Sequence, residues 1–154
     1  MQELEKVIGY KFKNRSLLTT ALTHSSYANE SKVHMEYNER LEFLGDAVLQ
    51  LVTSEKLYTE NPDMPEGKMS KQRAALVCEE ALAEYSKQID LGRFMFLGKG
   101  EENTGGRERP SVLADAFEAV IGAIFLDGGI EPAKKFIRRF LDDAHLYNQD
   151  FKTL

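Results

Sequence analysis

Apolar residues recur along most of the chain at spacings of three and four positions, the pattern typical of amphipathic helices. Glycine, proline and asparagine separate the apolar segments, as expected at helix ends. The pattern predicts helices at about residues 4–8 (ending at Gly9), 14–22 (capped by Asn14), 37–59, 70–78, 82–89, 110–126 and from Pro132 onward. Irregular segments are predicted at 25–36, 61–67 and 92–106. Because no segment predicts a convincing β-strand, the sequence indicates one all-α domain.

The predicted helix at 37–59 carries three carboxylates on one side. Glu39, Glu42 and Asp46 are spaced i, i+3 and i+7, which places them in one narrow sector at about 100° per residue. The apolar residues of the same helix fall roughly opposite: Leu41, Leu44, Val48, Leu51 and Val52. Like charges on one helix face are destabilising by roughly a few tenths of a kcal/mol per pair. A bound cation would offset that cost.

A second acidic pair lies on the predicted helix at 110–126. Asp115 and Glu118 are three positions apart and point the same way, and Gly122 leaves space one turn later. Apolar residues again cluster roughly opposite the acids: Leu113, Phe117, Val120, Ile121 and Ile124. If the two helices pack side by side, they can present Glu42, Asp46, Asp115 and Glu118 to a common point.

Four carboxylates form a hard, all-oxygen ligand set, which favours Mg²⁺ or Mn²⁺ over Zn²⁺. Mg²⁺ in proteins commonly engages phosphates, so hydrolysis of a phosphodiester is the chemistry that this set favours. Periodicity alone leaves open that the acids are two solvated helix faces. A di-iron carboxylate bundle is a further alternative, but it requires Glu-x-x-His motifs, and this chain has none.

Composition sets further bounds on a chain of 154 residues. The net charge of -5 argues mildly against a nucleic-acid partner, although a bound cation can reverse the local charge. The single cysteine, Cys78, fits a reducing compartment. The sequence shows neither the start of a signal peptide nor an apolar run long enough for a membrane span. We therefore expect a cytoplasmic protein.

The stretch Asn38–Asp46, NERLEFLGD, resembles the signature of the ribonuclease III family of double-stranded-RNA endonucleases. Further segments resemble the same family: ALTHSS at 21–26, EGKMS at 66–70 with Arg73 and Ala74, LADAFEA at 113–119 and IGA at 121–123. Together they cover residues from about 4 to 145, and no expected catalytic position departs from the family pattern.

This resemblance implies a metal-dependent endoribonuclease that leaves 5′-phosphate and 3′-hydroxyl ends with short 3′ overhangs and acts in rRNA and mRNA processing. Glu42, Asp46, Asp115 and Glu118 would be both the metal ligands and the catalytic residues, with Mg²⁺, or Mn²⁺ as its substitute. Glu39 and Glu66 match acidic positions of the family near the RNA. No membrane or small-molecule cofactor is implied.

The resemblance also implies a symmetric homodimer, in which Phe43 inserts into a socket on the second subunit. On the helical wheel Phe43 lies beside the carboxylates and away from the apolar stripe, where a partner surface would cover it. Two equivalent sites, one for each RNA strand, would explain a staggered cut.

Contacts to RNA phosphates require basic residues, for which Lys71, Arg73 and Arg107 are the candidates, beside Lys68 and Arg109. We expect an endonuclease domain at 1–146, followed at 147–154 by a linker and the start of a double-stranded-RNA-binding domain that the chain otherwise lacks. The alternative function is a non-catalytic RNA-binding or assembly module on the same fold, against which the retention of all four acids argues.

Overall fold

The computed structural model describes residues 1–152, with side chains for residues 1–144. Helices dominate this part of the chain, which confirms the all-α prediction. The helices are α1 (Gln2–Ile8), α2 (Arg15–Leu22), α3 (Ser25–Glu30), α4 (Glu39–Glu60), α5 (Glu66–Val77), α6 (Glu79–Gln88), α7 (Lys99–Asn103), α8 (Pro110–Gly128) and α9 (Ile130–Lys152). Short 3-10 turns lie at Leu91–Phe94 and Gly106–Glu108, and Thr23 and Phe96 form an isolated bridge.

Helix α1 ends at Gly9 and helix α2 is capped by Asn14, as the sequence predicted. Gly9 ends α1 with a φ of 81°, a left-handed conformation that glycine adopts without the steric cost of a side chain. The Asn14 side chain accepts a hydrogen bond of 3.1 Å from the amide of Ser16 and so caps α2.

Several boundaries differ from the prediction. The expected loop at 25–36 contains α3, a helix without a buried residue, so no apolar period marks it. The irregular segment at 92–106 likewise contains α7. Helix α5 begins at Glu66, four residues before Ser70, and α9 begins at Ile130, two residues before Pro132. Proline is tolerated in a first helical turn, where its missing N–H would be unpaired in any case.

The backbone of α9 continues through Lys152, past the expected domain boundary at 146. The predicted linker at 147–154 therefore begins as helix, while residues 153 and 154 lie outside the described residues.

Helix α8 is the centre of the fold. It is buried almost all round from Val112 to Ile124, the pattern of a central helix, and it packs against α2, α4, α6 and α9. Four aromatic rings, spaced 5.0–5.6 Å between centroids, fill the space beside it: Tyr85, Phe117, Phe136 and Phe140. Among the described residues, no helix combines the length and apolarity needed to cross a membrane.

Helices α4 and α8 meet at glycines. A Cβ built on Gly122 would lie 2.4 Å from the carbonyl oxygen of Leu41, well inside van der Waals contact. Gly45 occupies the corresponding place on α4. The two backbones can therefore approach far more closely than two helices with side chains at the contact.

An ion cluster around the buried Lys56 ties the other half of α4 to α9. Lys56 is 3% exposed, and its Nζ lies 2.6 Å from Glu60 Oε1 and 3.1 Å from Asp142 Oδ1. Arg138 reaches the second oxygen of Glu60 at 2.5 Å. These pairs fix the position of α9 against α4.

Candidate active site

The close contact of α4 and α8 brings the predicted acids together. One carboxylate oxygen each from Glu42, Asp115 and Glu118 lies within 4.8 Å of the others. Glu118 is 8% exposed, and Glu42 and Asp115 are half-buried. The fourth acid, Asp46, is exposed and lies outside this group of three, but its side chain hydrogen-bonds that of Glu118.

Burial and mutual repulsion make these carboxyls hard to ionise. Burial, followed by the hydrogen bond and the negative charge of Asp46, raises the pKa of Glu118 to about 9. Burial, followed by the charge of Asp115, raises the pKa of Glu42 to about 7. Burial also raises the pKa of Asp115, although its hydrogen bond with Glu42 acts in the opposite direction. A divalent cation at this point would favour the charged form of each carboxyl and so oppose these shifts.

Asn38 anchors the start of α4 and was not predicted to have a role beyond its place in the sequence motif. It is 6% exposed, its amide donates to the carbonyl of Thr23 at 2.9 Å, and its Nδ2 donates to the carbonyl of Ala21 at 3.2 Å. Its own carbonyl accepts the amide of Glu42 at 2.9 Å. Through Asn38, the backbone at the junction of α2 and α3 therefore holds the turn of α4 that carries Glu42.

Three of the four acids line an open groove of about 1160 Å³, and Asp115 does not. Its wall includes Glu42, Asp46, Glu118 and Glu39. Glu39 is exposed, which is compatible with the predicted position near RNA. The groove is larger than most small-molecule pockets, so it can admit a polymer backbone.

Glu66 lies apart from that groove. It lines a second cavity of about 390 Å³ together with Arg73, whose Nη1 donates to the Ser54 hydroxyl at 3.0 Å. The hydroxyl of Ser70 donates to Glu66 Oε1 at 3.2 Å. Lys71 is exposed on the same helix, α5. The structure therefore separates these three predicted RNA-contact residues from the carboxylate cluster within one chain.

Arg107, a further predicted RNA contact, is turned inward. Its Nε lies 2.9 Å from Glu102 Oε1, and its Nη1 donates to the carbonyls of Gly92 at 2.7 Å and Met95 at 2.8 Å. Arg107 does not line the groove. Its guanidinium stabilises the segment between α6 and α8. The residues next to Arg107 in the sequence did not predict this role, because its partners lie farther away along the chain.

Phe43 is 82% exposed beside the acidic cluster. One face of α4 continues from it with Ala47, Leu51 and Tyr58, and we call these four residues the exposed stripe. Leu51 was placed among the apolar residues opposite the acids, but it is 60% exposed and not part of the core. Around the α4 axis, Leu51 lies between the residues that face the core and Phe43. Its side chain remains largely exposed in the folded chain.

The chain matches known proteins over nearly its whole length. A family model described as ribonuclease-III-like matches residues 14–144. The chain is 53% identical over 159 residues to Ribonuclease 3 of Oceanobacillus iheyensis, an alignment that covers 99% of this chain and 70% of the relative. It is 55% identical over 142 residues to Ribonuclease 3 of Clostridium perfringens, covering 92% of this chain and 60% of the relative.

Solved structures show the same fold. The nuclease domain of ribonuclease III from Campylobacter jejuni superimposes with a TM-score of 0.86 at 46% identity, covering 92% of this chain and 96% of that one. That structure is described as flexible in a region involved in dimer formation. Dicer from Pichia stipitis gives a TM-score of 0.64 at 27% identity, covering 87% of this chain and 56% of that one.

Proposed function

The chain belongs to the ribonuclease III family and is an endoribonuclease of that type, and from this premise we propose that it hydrolyses double-stranded RNA with Mg²⁺ held by its carboxylate cluster. The observation that carries the proposal is the convergence of Glu42, Asp115 and Glu118, whose oxygens lie within 4.8 Å of one another. Glu42 and Glu118 also line the open groove.

The donor set fits a hard divalent cation. The three converging donors are all carboxylate oxygens, the ligands that Mg²⁺ and Mn²⁺ prefer. Burial, followed by the neighbouring carboxylates, raises the pKa values of Glu42 and Glu118, and a bound cation would favour their charged forms. We assign all four acids as ligands, with Asp46 completing the set through its contact with Glu118. When bound, the ion would supply charge neutralisation at the phosphate and activation of a water molecule.

The protein's own groups account for the rest of the proposed reaction. Glu42, Asp115 and Glu118 fix where the scissile phosphate must sit, and Glu39 on the groove wall faces the RNA beside it. The oxygen of water attacks phosphorus and the bond to the 3′ oxygen breaks. The water oxygen stays on the 5′-phosphate, and a proton released by the water goes to the leaving 3′ oxygen, which becomes the 3′-hydroxyl.

We propose a symmetric homodimer as the active form, which the exposed stripe supports. Phe43, 82% exposed, would insert into the second subunit. Two equivalent sites would then cut the two RNA strands at staggered positions and leave short 3′ overhangs. In the dimer, Glu66, Lys71 and Arg73 would contact the RNA, since double-stranded RNA is bound largely through its shape and phosphates.

The proposed context is the processing of rRNA and mRNA in the cytoplasm. The exposed thiol of Cys78 fits a reducing compartment. We assign residues 1–146 to the nuclease domain, because these residues include the groove and the carboxylate cluster.

The decisive experiment is cleavage of a long RNA duplex at low salt, with Mg²⁺ and with EDTA. We expect cleavage with Mg²⁺ alone, and we expect Glu118→Gln to abolish it while binding of the duplex is kept. Glu84→Gln, which removes an exposed acid on α6, is the matched control and should cleave normally. Binding without any Mg²⁺-dependent cleavage would instead identify a non-catalytic RNA-binding module. Cleavage by Glu118→Gln would refute the ligand assignment.

A further inference from the structure

Two segments that supply no ligand are joined tightly beside the carboxylates. The amide of His24 donates to the carbonyl of Phe96 at 3.1 Å, and the amide of Phe96 donates to the carbonyl of Leu22 at 2.9 Å. The amide of Gly98 then donates to the hydroxyl of Ser26 at 2.9 Å. The chain around His24 is therefore held against the segment that leads to α8.

The His24 ring joins this network in a defined orientation. Its Nδ1 accepts the amide of Ser26 at 3.1 Å and so caps α3. An acceptor at Nδ1 leaves the ring proton on Nε2, which lies 3.6 Å from Glu101 Oε1. The other oxygen of Glu101 pairs with Nη1 of Arg109. His24 and Glu101 are only 21% and 19% exposed, so solvent competes weakly for these contacts.

The network reaches both carboxylate-bearing helices. Arg109 is the residue that caps α8, and its carbonyl accepts the amide of Leu113, two positions before Asp115. On the other side, the carbonyl of Thr23 accepts the amide of Asn38, which in turn holds the first turn of α4 and Glu42.

The glycine contacts do not reach the start of α8. They lie at Gly122 against Leu41 and at Gly45 against Glu118, whereas Asp115 lies nearly one turn before Glu118, towards the end of α8 that begins at Pro110. A connection at that end of α8 helps to hold Asp115 in place. The contacts from Asn38 through Thr23 and His24 to Glu101 and Arg109 form that connection.

We propose that His24 is a positioning residue, which acts through Glu101 and Arg109 to hold Asp115 and Glu42 at the separation that a divalent cation requires. This inference rests on the proposed metal-dependent function. It assigns His24 no contact with the metal or with RNA.

The test uses His24→Asn, because asparagine can still accept the Ser26 amide and cap α3 but has no group at the place of Nε2. Mn²⁺ binding is measured without RNA from the electron paramagnetic resonance of the free ion, and melting temperature is measured in EDTA. We expect Mn²⁺ to bind about tenfold or more weakly to the variant, the size typical of lost outer-shell contacts, with a nearly unchanged melting temperature.

Glu101→Gln provides a second variant in case His24→Asn folds poorly. It should weaken Mn²⁺ binding in the same way, and combining the two substitutions should add little, because both break one connection. Glu102→Gln is the matched control on the same short helix, since Glu102 pairs with Arg107 and not with His24. It should leave Mn²⁺ affinity unchanged.

Three results would overturn the inference: unchanged Mn²⁺ affinity in His24→Asn and Glu101→Gln, an equal loss in Glu102→Gln, or fully additive effects in the double variant. Failure of the proposed function is a different result, in which the unsubstituted protein neither binds Mn²⁺ nor cleaves RNA.

Discussion

Gly45 lies directly against the carbonyl oxygen of Glu118, so closely that a Cβ built on Gly45 would sit 1.7 Å from that oxygen. Real Cβ atoms do not approach so near, and the clash is with backbone, which cannot swing aside. This contact brings the turn of α4 that bears Glu42 and Asp46 against the turn of α8 that bears Glu118.

Gly45→Ala is therefore expected to push α4 and α8 apart. Overpacking of a close contact costs about 1–3 kcal/mol, which exceeds the gain of about 1 kcal/mol from the better helix propensity of alanine. The free energy of unfolding should fall and Mg²⁺-dependent cleavage should be lost, as measured by chemical denaturation and duplex cleavage. Gly67→Ala is the control: nothing lies within 4 Å of its added Cβ, so it should be neutral or stabilising. Equal behaviour of the two variants would contradict this account.

The stability of the metal-free protein should decrease as pH rises. Burial and neighbouring charges raise the pKa of Glu118 from 4.5 to about 9 and that of Glu42 from 4.5 to about 7, so the folded state holds protons that the unfolded state releases. The stability that these two protonated carboxyls contribute is fully present below pH 4.5. It is lost as the pH rises through about 7 for Glu42 and about 9 for Glu118.

The measurement is the melting temperature in EDTA between about pH 5 and pH 9. As the pH rises, the melting temperature of the unsubstituted protein should decrease more than that of Glu118→Gln. Added Mg²⁺ should raise the melting temperature of the unsubstituted protein far more than that of the variant. Parallel curves for the two proteins would show that Glu118 is not protonated in the metal-free fold.

Phe43→Glu should weaken dimerisation and cleavage together. The substitution places a charge where an 82% exposed aromatic ring would enter the partner, so the interface would have to bury an unpaired carboxylate. Sedimentation velocity and duplex cleavage measure the two effects. Val33→Glu changes another exposed apolar residue, outside the exposed stripe, and should do neither. An unchanged dimer mass for Phe43→Glu would remove Phe43 from the interface.

Basic residues that were predicted alike should behave differently. Lys71→Ala and Arg73→Ala should weaken binding to an RNA duplex and reduce its salt dependence by about one counterion each, with little change in stability. Arg107→Ala should instead lower the free energy of unfolding by about 1–3 kcal/mol, because it leaves the carbonyl of Met95 without its donor and removes one of the two donors to the carbonyl of Gly92. Denaturation and salt titration of binding separate the two outcomes. If Arg107→Ala kept its stability and bound RNA more weakly, Arg107 would be an RNA contact and not a structural residue.

The features that local sequence could predict were those set by residues near one another in the chain. The cap at Asn14, the end of α1 at Gly9 and the spacing of Asp115 and Glu118 depend on the helical repeat and on hydrogen bonds within one turn. The family motifs added the assignment of all four acids to one site. The structure brings Glu42, Asp115 and Glu118 together and places Asp46 beside Glu118.

Only the tertiary structure decided which surfaces meet. Leu51 has the apolar side chain of a core residue and is nevertheless 60% exposed. Arg107 looks like a surface cation, yet its partners at Gly92 and Met95 lie 15 and 12 positions away. The raised pKa of Glu118 likewise arises from burial beneath a second helix. Periodicity specifies which way a side chain points from its own helix, whereas its neighbours are set by how closely the helices can approach, and here that depends on Gly45 and Gly122.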